Sequence, residues 1–219
     1  MRKTIRSFTL FIIILTFSFA VVQMKAQEKP AEPSLDEKVK SFLERHRSDW
    51  HDWNVPYRDG QFLHDLILEH NYTRALEIGT STGHAAVWIA WALSKTGGKL
   101  ITIEIDKGRH DQALANFKEA GVADYIDARL ADAHQLVKEL EGPFDFVFSD
   151  ADKEWYTQYF KDIAPKMAVG GCFTAHNITM RSWPGIKDFV AYIQSRPDFE
   201  TTIETKRTSG ISVSYKKEK

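Results

Sequence analysis

The sequence holds a single cysteine, Cys172, among its 219 residues. One thiol forms no internal disulfide, and no Cys-x-x-Cys or Cys/His finger spacing exists. A disulfide-stapled mini-protein and a finger-type zinc site are therefore excluded. Positive charge is also scarce. The formal net charge is −1, and four basic residues (Arg2, Lys3, Arg6 and Lys25) lie within residues 1–26. Without that segment the body is clearly acidic, which gives no electrostatic footing for DNA or RNA. No internal repeat or low-complexity tract is visible. With 43% hydrophobic and 27% charged residues, a disordered tail and a collagen-like fibre are excluded as well. The expected partner is a small molecule, with no nucleic acid.

The first 26 residues read as an address. Arg2, Lys3 and Arg6 precede an uncharged apolar run from Phe8 to Val22, with small residues at Ala20 or Ala26. This is the pattern of a secretory signal peptide. The alternative is an uncleaved membrane anchor, because the uncharged stretch from Ser7 to Met24 just reaches the length of a marginal span. Both readings export the body, as a periplasmic or secreted protein or as one held at the membrane. No cysteine follows the apolar run, so a lipoprotein is excluded.

Residues 27–52 read as a linker carrying Pro30 and Pro33, followed by a charged amphipathic helix over Leu35–Trp50. From Ala75 onward the hydrophobic period switches repeatedly. Short apolar runs at Ala75–Ile78, Leu100–Ile105, Phe144–Phe148 and Cys172–Ala175 read as buried parallel strands. Helical patterns lie at His84–Lys95, His110–Ala120, Ala133–Leu140, Trp155–Ala164 and Pro184–Ser195. Two further strands, Phe199–Thr205 and Ile211–Tyr215, follow without an intervening helix. That order predicts one α/β domain, a parallel sheet closed by an antiparallel pair.

The first strand runs into Glu77-Ile78-Gly79-Thr80-Ser81-Thr82-Gly83 and then into a helix. Glycines at such a turn let a backbone approach a ligand closely, and open α/β sheets bind ligands at strand carboxyl ends. Glu104 ends the next strand, where a carboxylate can accept ribose hydroxyls. A dinucleotide turn prefers G-x-G-x-x-G, and the middle glycine is here Ser81. The spacing favours a ligand without phosphates, such as S-adenosylmethionine, over NAD.

In order along the chain, Asn54-Val55, Gly60-Gln61, Glu77, Gly79, Glu104, Ala131-Asp132-Ala133, Ser149-Asp150-Ala151-Asp152-Lys153 and Ala175-His176-Asn177 form a recognisable series. The chain from Trp53 onward resembles the small cation-dependent O-methyltransferases, the group of catechol and caffeoyl-CoA O-methyltransferases. The resemblance implies a Rossmann-like, doubly wound, mostly parallel seven-stranded sheet with an antiparallel C-terminal strand pair, over residues 53–219. It implies S-adenosyl-L-methionine as cofactor, held by Asn54, Val55, Glu77, Gly79, Ser81, Gly83, Glu104, Ile105, Asp132, Ala133 and Asp150. The activity it implies is methylation of a small hydroxylated, aromatic acceptor. A homodimer is left open, and membrane contact is expected only through an uncleaved N-terminal segment. An exported binding protein that keeps the fold without turnover is the alternative function.

The same resemblance implies three metal ligands at the positions of Asp150, His176 and Asn177, and a catalytic lysine at Lys153. Where the family has Ala-Asp-Asn, this chain has Ala175-His176-Asn177. Exchanging Asp for His removes a negative charge and a hard oxygen, which disfavours Mg²⁺. Mn, Fe, Co or Zn suit the mixed set better, and no metal at all is the other reading. Without a metal an ordinary lysine, with a pKa near 10.4, is neutral in under about one molecule in a thousand at pH 7. A histidine near 6.5 is mostly neutral, so His176 is the alternative base, with Asp150 and Lys153 completing the catalytic set. The other histidines (46, 51, 64, 70, 84, 110 and 134) show no ligand spacing and read as surface or helix residues. Trp53, Trp155 and Trp183 are candidates to wall an aromatic acceptor.

Overall fold

The structure is a computed structural model that describes residues 32–218. The signal or anchor segment expected over residues 1–26 lies outside the described residues. Among the described residues no helix is long and apolar enough to cross a membrane.

Helix α1 (Leu35–Arg45) begins at Ser34, whose hydroxyl accepts from the Glu37 amide while the Glu37 carboxylate accepts from the Ser34 amide. This reciprocal cap satisfies two donors that the first helical turn leaves open. The helix stops at Arg45 rather than at Trp50, because the chain turns over His46–Asp49. Helix α2 (Tyr57–His70) was not foreseen. Phe62, Leu63, Leu66 and Ile67 recur at helical spacing and are buried, but Asp59, Gly60 and Gln61 obscure the first turn.

From there strand and helix alternate through β1 (Arg74–Ile78), α3 (His84–Thr96), β2 (Lys99–Glu104), α4 (Lys107–Ala120), β3 (Ile126–Leu130) and α5 (Ala133–Glu139). The second half follows as β4 (Phe144–Ser149), α6 (Tyr156–Ile163), β5 (Met167–Ala175), α7 (Pro184–Gln194), β6 (Phe199–Glu204) and β7 (Ile211–Lys216). The sheet order is β3-β2-β1-β4-β5-β7-β6. The first five strands run parallel, and β7 is antiparallel to both β5 and β6. The doubly wound, mostly parallel seven-stranded sheet with an antiparallel C-terminal pair is therefore observed.

Strand β3 escaped the sequence reading because Ile-Asp-Ala-Arg-Leu is only half buried at the sheet edge. Strand β5 starts five residues earlier than expected. Its first half carries exposed Val169 and Gly170, and its register against β4 shifts between Phe144 and Phe146. Helix α4 starts at Lys107 because the Asp106 carboxylate caps it, accepting from the Arg109 amide.

Alternation along the strands divides the core. Ala75, Leu100, Phe146, Phe148 and Cys172 join the helices α1–α4 in one apolar cluster. Leu76, Ile78, Ile103, Val147 and Phe173 join α6 and α7 in the other. Burial on both faces is what a parallel sheet with helices on both sides requires. The register sets Ile78 level with Ile103 of β2 and Ser149 of β4, and Ser149 level with Ala175 of β5. Gly79, Glu104, Asp150 and His176 therefore emerge together at the carboxyl edge. The order reverses between β1 and β4, the place where such sheets bind ligands.

Phe160 anchors the second cluster, fully buried with its ring centroid 4.9 Å from Phe173 and 4.8 Å from Phe199. Phe160→Ala should cost about 3–5 kcal/mol, read by urea unfolding. A loss below about 1 kcal/mol would show that this cluster repacks freely.

Candidate active site

A cavity of about 610 Å³ opens at the carboxyl edge of the parallel strands. Its walls include Asn54, Gly79, Ser81, Glu104, Ile105, Asp132, Ala133, Asp150, Lys153, His176 and Asn177. Three residues expected to bind cofactor stand back from this wall. Val55 is buried, and its carbonyl accepts from His84 Nδ1 at 2.8 Å. Gly83 opens α3 at φ +98°, and a Cβ there would strike the Phe117 ring at 2.5 Å. Its bareness serves helix packing. Glu77 is wholly buried beneath the turn.

The glycine turn is tied down from two sides. Gly79 sits at φ +96°, and a Cβ on it would lie 2.8 Å from the Asp150 carbonyl, so only glycine fits between β1 and β4. The segment before α2 straps over the turn. Ser81 donates its hydroxyl to the Asp52 carbonyl, and Asn54 Nδ2 donates to Thr82 Oγ1 at 2.7 Å while its Oδ1 accepts from the His84 amide. Arg109 on α4 grips the Asp52 carboxylate through Nε and a second nitrogen, at 2.7 and 2.9 Å. Trp53 is held exposed at the rim at φ 68°, and it lines the cavity with Met180 and Trp183. Trp155 does not line it. Its ring lies against His134, with the two ring planes tilted by 30° and their centroids 4.0 Å apart.

Glu104 accepts three backbone amides, from Ser81 at 2.7 Å, Ile105 at 3.1 Å and Asp106 at 2.9 Å. A carboxylate offers about four lone-pair sites, so one remains for a ligand donor where two were expected. Glu77 behaves differently. Burial pushes its carboxyl up to about 8, against a partial offset from the Thr102 hydroxyl, with the charges of Asp150 and Glu104 adding to the rise. One Glu77 oxygen accepts from Thr102 Oγ1, and the other, Oε1, has no partner. Glu77 thus supports the turn as a neutral acid and does not reach the cavity wall.

Beside the turn lies a cluster of charges. Asp150 Oδ1 accepts from Lys153 Nζ at 2.7 Å, and Asp150 Oδ2 lies 3.0 Å from His176 Nδ1. The other imidazole nitrogen, Nε2, lies 2.9 Å from Asp59 Oδ2 and 2.9 Å from Ser209 Oγ. Both side chains that bracket His176 are nearly out of water, Asp59 at 0% and Asp150 at 8% exposure. A neutral imidazole donates through one nitrogen only, so two facing carboxylates require the imidazolium. Burial alone would lower the His176 pKa, but the charge and hydrogen bond of Asp150 and those of Asp59 outweigh it and push it up to about 9. Burial would raise both carboxyls, yet His176 holds each below its ordinary value, with Ser209 helping at Asp59 and Lys153 at Asp150. This geometry disfavours the expected role of His176 as a general base, because both ring nitrogens face carboxylates. Asp59 and Ser209 were missed, since an acid in the first turn of an unforeseen helix and a serine in a hairpin turn carry no signal of their own.

An O-methyltransferase family profile matches residues 26–187. The chain belongs to the O-methyltransferase family. It is 33% identical over 147 residues to caffeoyl-CoA O-methyltransferase 1 of Eucalyptus globulus, covering 65% of this chain and 58% of that protein. It is 36% identical over 129 residues to a catechol O-methyltransferase of Niastella koreensis, covering 57% and 58%. The matches thus span somewhat over half the length of these curated relatives. Among solved structures, the O-methyltransferase TomG of Streptomyces achromogenes, in complex with SAM, superposes with a TM-score of 0.68 at 28% identity, covering 84% of this chain and 91% of that one.

The family implies two groups, and this chain suits them unequally. For S-adenosylmethionine the residues fit: a glycine-walled cavity, a free acceptor site on Glu104, and an uncharged support in Glu77. For a divalent metal they do not. Asp150 and His176 already face each other as well as Lys153, Asp59 and Ser209, and a cation placed among them would meet basic side chains. Among the described residues no group of three or more His, Cys, Asp or Glu side chains is arranged to hold a metal.

Glu77 also makes stability pH-dependent. Its folded-state pKa is raised above the ordinary 4.5, so its contribution is full below about pH 4.5 and is lost as pH rises through about 8. Relative to Glu77→Gln, the wild type should lose stability between pH 5 and pH 8, measured by urea unfolding. Parallel profiles for the two proteins would show that Glu77 is ionised in the fold.

Proposed function

We propose that this chain is an S-adenosylmethionine-dependent O-methyltransferase whose acceptor is a small hydroxylated aromatic compound. The observation that carries the reading is the convergence, in one cavity at the β1/β4 switch point, of the Gly79 turn, Glu104 and the Asp150–Lys153 pair. S-adenosylmethionine supplies an activated methyl group on a sulfonium. The protein's task is then to position the acceptor oxygen and to manage its proton. Glu104 accepts from the ribose, and the strap carrying Asn54 closes over the turn. Lys153 Nζ, anchored to Asp150 Oδ1 at 2.7 Å, donates to the acceptor oxygen and stabilises its developing negative charge. Trp53, Met180 and Trp183 offer apolar surface at the rim for an aromatic ring.

Calorimetric titration with S-adenosylmethionine tests the cofactor reading, with NAD as the control ligand. S-adenosylmethionine should bind and NAD should not. Glu104→Ala should weaken binding by about 1.5–3 kcal/mol, the scale of a hydrogen bond to a charged group. An unchanged affinity removes Glu104 from the site. Binding without methyl transfer to any of a panel of phenols and catechols would favour the non-catalytic alternative.

The basic N-terminus and the apolar run from Phe8 to Val22 support export of the body. Fractionation of the native host should find the protein outside the cytoplasm, shortened and soluble or full-length at the membrane. Full-length protein in the cytosolic fraction overturns export.

A further inference from the structure

In the charge cluster against the cavity, each carboxylate lies within hydrogen-bond distance of a basic side chain. His176 extends from the end of β5 and contacts carboxylates on opposite sides, Asp150 after β4 at 3.0 Å and Asp59 in α2 at 2.9 Å. Ser209, in the β6–β7 turn, donates to Asp59 through both its hydroxyl and its amide, the amide lying 3.0 Å from Oδ1 and 3.2 Å from Oδ2. Arg58 Nε lies 3.5 Å from Asp59 Oδ1. Lys153 Nζ completes the set at 2.7 Å from Asp150 Oδ1. Two negative charges are thus matched by fixed positive charges that belong to the chain. Both oxygens of Asp150 and both ring nitrogens of His176 are already engaged by neighbouring side chains.

We propose that His176, bracketed by Asp59 and Asp150, is a built-in cation that takes the place of a divalent metal, so that methyl transfer here is metal-independent and a single acceptor hydroxyl suffices. The inference rests on the methyltransferase reading for its chemistry, but its first test needs no turnover. A divalent ion would offer open coordination positions to acceptor oxygens, whereas His176 offers none, since both its ring nitrogens face carboxylates. What reaches the acceptor is Lys153 Nζ, a single-point donor. The step balances without a metal. The new O–CH3 bond forms as the S–CH3 bond breaks, the sulfonium leaves as a neutral thioether, and the hydroxyl proton passes to water while the Lys153 ammonium holds the acceptor oxygen. His176 and Asp59 are positioning residues in this scheme: they fix Asp150, which fixes Lys153.

The test is Mn²⁺ titration of the full chain, followed by the loss of the free-ion electron paramagnetic resonance signal. Wild type should leave the signal of Mn²⁺ unchanged at equimolar concentrations of about 100 μM, whereas a Kd of about 10 μM or tighter would remove most of it and overturn the proposal. His176→Asp converts the bracket to oxygen donors beside Asn177 and should gain Mn²⁺ binding, which a purely structural role for His176 would not produce. A folded His176→Asp protein that ignores Mn²⁺ contradicts the proposal. If that variant does not fold, the wild-type titration decides alone. In turnover, a phenol and the corresponding catechol should differ in kcat/KM by no more than about tenfold, or about 1.4 kcal/mol. A requirement for the vicinal pair greater than about a hundredfold would contradict single-hydroxyl recognition. Failure of S-adenosylmethionine to bind in calorimetry would instead sink the methyltransferase reading, leaving the Mn²⁺ result to stand by itself.

Discussion

Two carboxylates and one imidazole, all nearly out of water, meet where α2, β4, β5 and the β6–β7 turn converge. None of the three is tolerable alone at that depth. Removing one partner of a buried ion pair costs about 3–5 kcal/mol because the other charge is left uncompensated. The elements that supply them must therefore arrive together. Asp59 comes from a helix that precedes the sheet, Asp150 and His176 from neighbouring strand ends, and Ser209 from the antiparallel hairpin that closes the sheet. The bracket ties sequence-distant parts of the chain to one point, and that point borders the cavity.

The same constraint reaches the cofactor side through Asp150. Its backbone carbonyl lies against Gly79 so closely that no side chain fits there. Its side chain faces Lys153 and His176. One residue thus separates the glycine turn from the charge cluster, and movement of either would shift the other. On the far side, Glu104 binds the turn to the end of β2 through the Ser81 amide, and Arg109 and Asp52 fasten the strap. These contacts fix the cavity walls on both sides, which is the arrangement that makes positioning effective.

The fold was largely legible because parallel strands buried on both faces are continuous apolar runs, and β1, β2 and β4 are such runs. What was not legible failed for identifiable reasons. Strand β3 is an edge strand with alternating charges, the first turn of α2 contains Asp59 and Gly60, and β5 opens with an irregular glycine pair. Gly79, Glu104, Asp150, Lys153, His176 and Asn177 line the cavity, and each was legible because it ends or follows a strand in a motif. Val55, Glu77 and Gly83 belong to the same motifs yet act from behind the cavity wall, a distinction that spacing does not encode. The state of His176 could not be read at all from the sequence. It depends on Asp59, 117 positions away in the chain, which sets a second carboxylate against the ring.

The central claim is that this active site carries its own positive charge. The most direct measurement is methyl transfer by metal-stripped protein, its metal content verified by mass spectrometry, using S-adenosylmethionine with a labelled methyl group and a simple phenol. The account predicts that turnover persists unchanged in chelator and gains nothing from added Mg²⁺ or Mn²⁺. A stripped protein that is inactive until one of those ions is restored would contradict it.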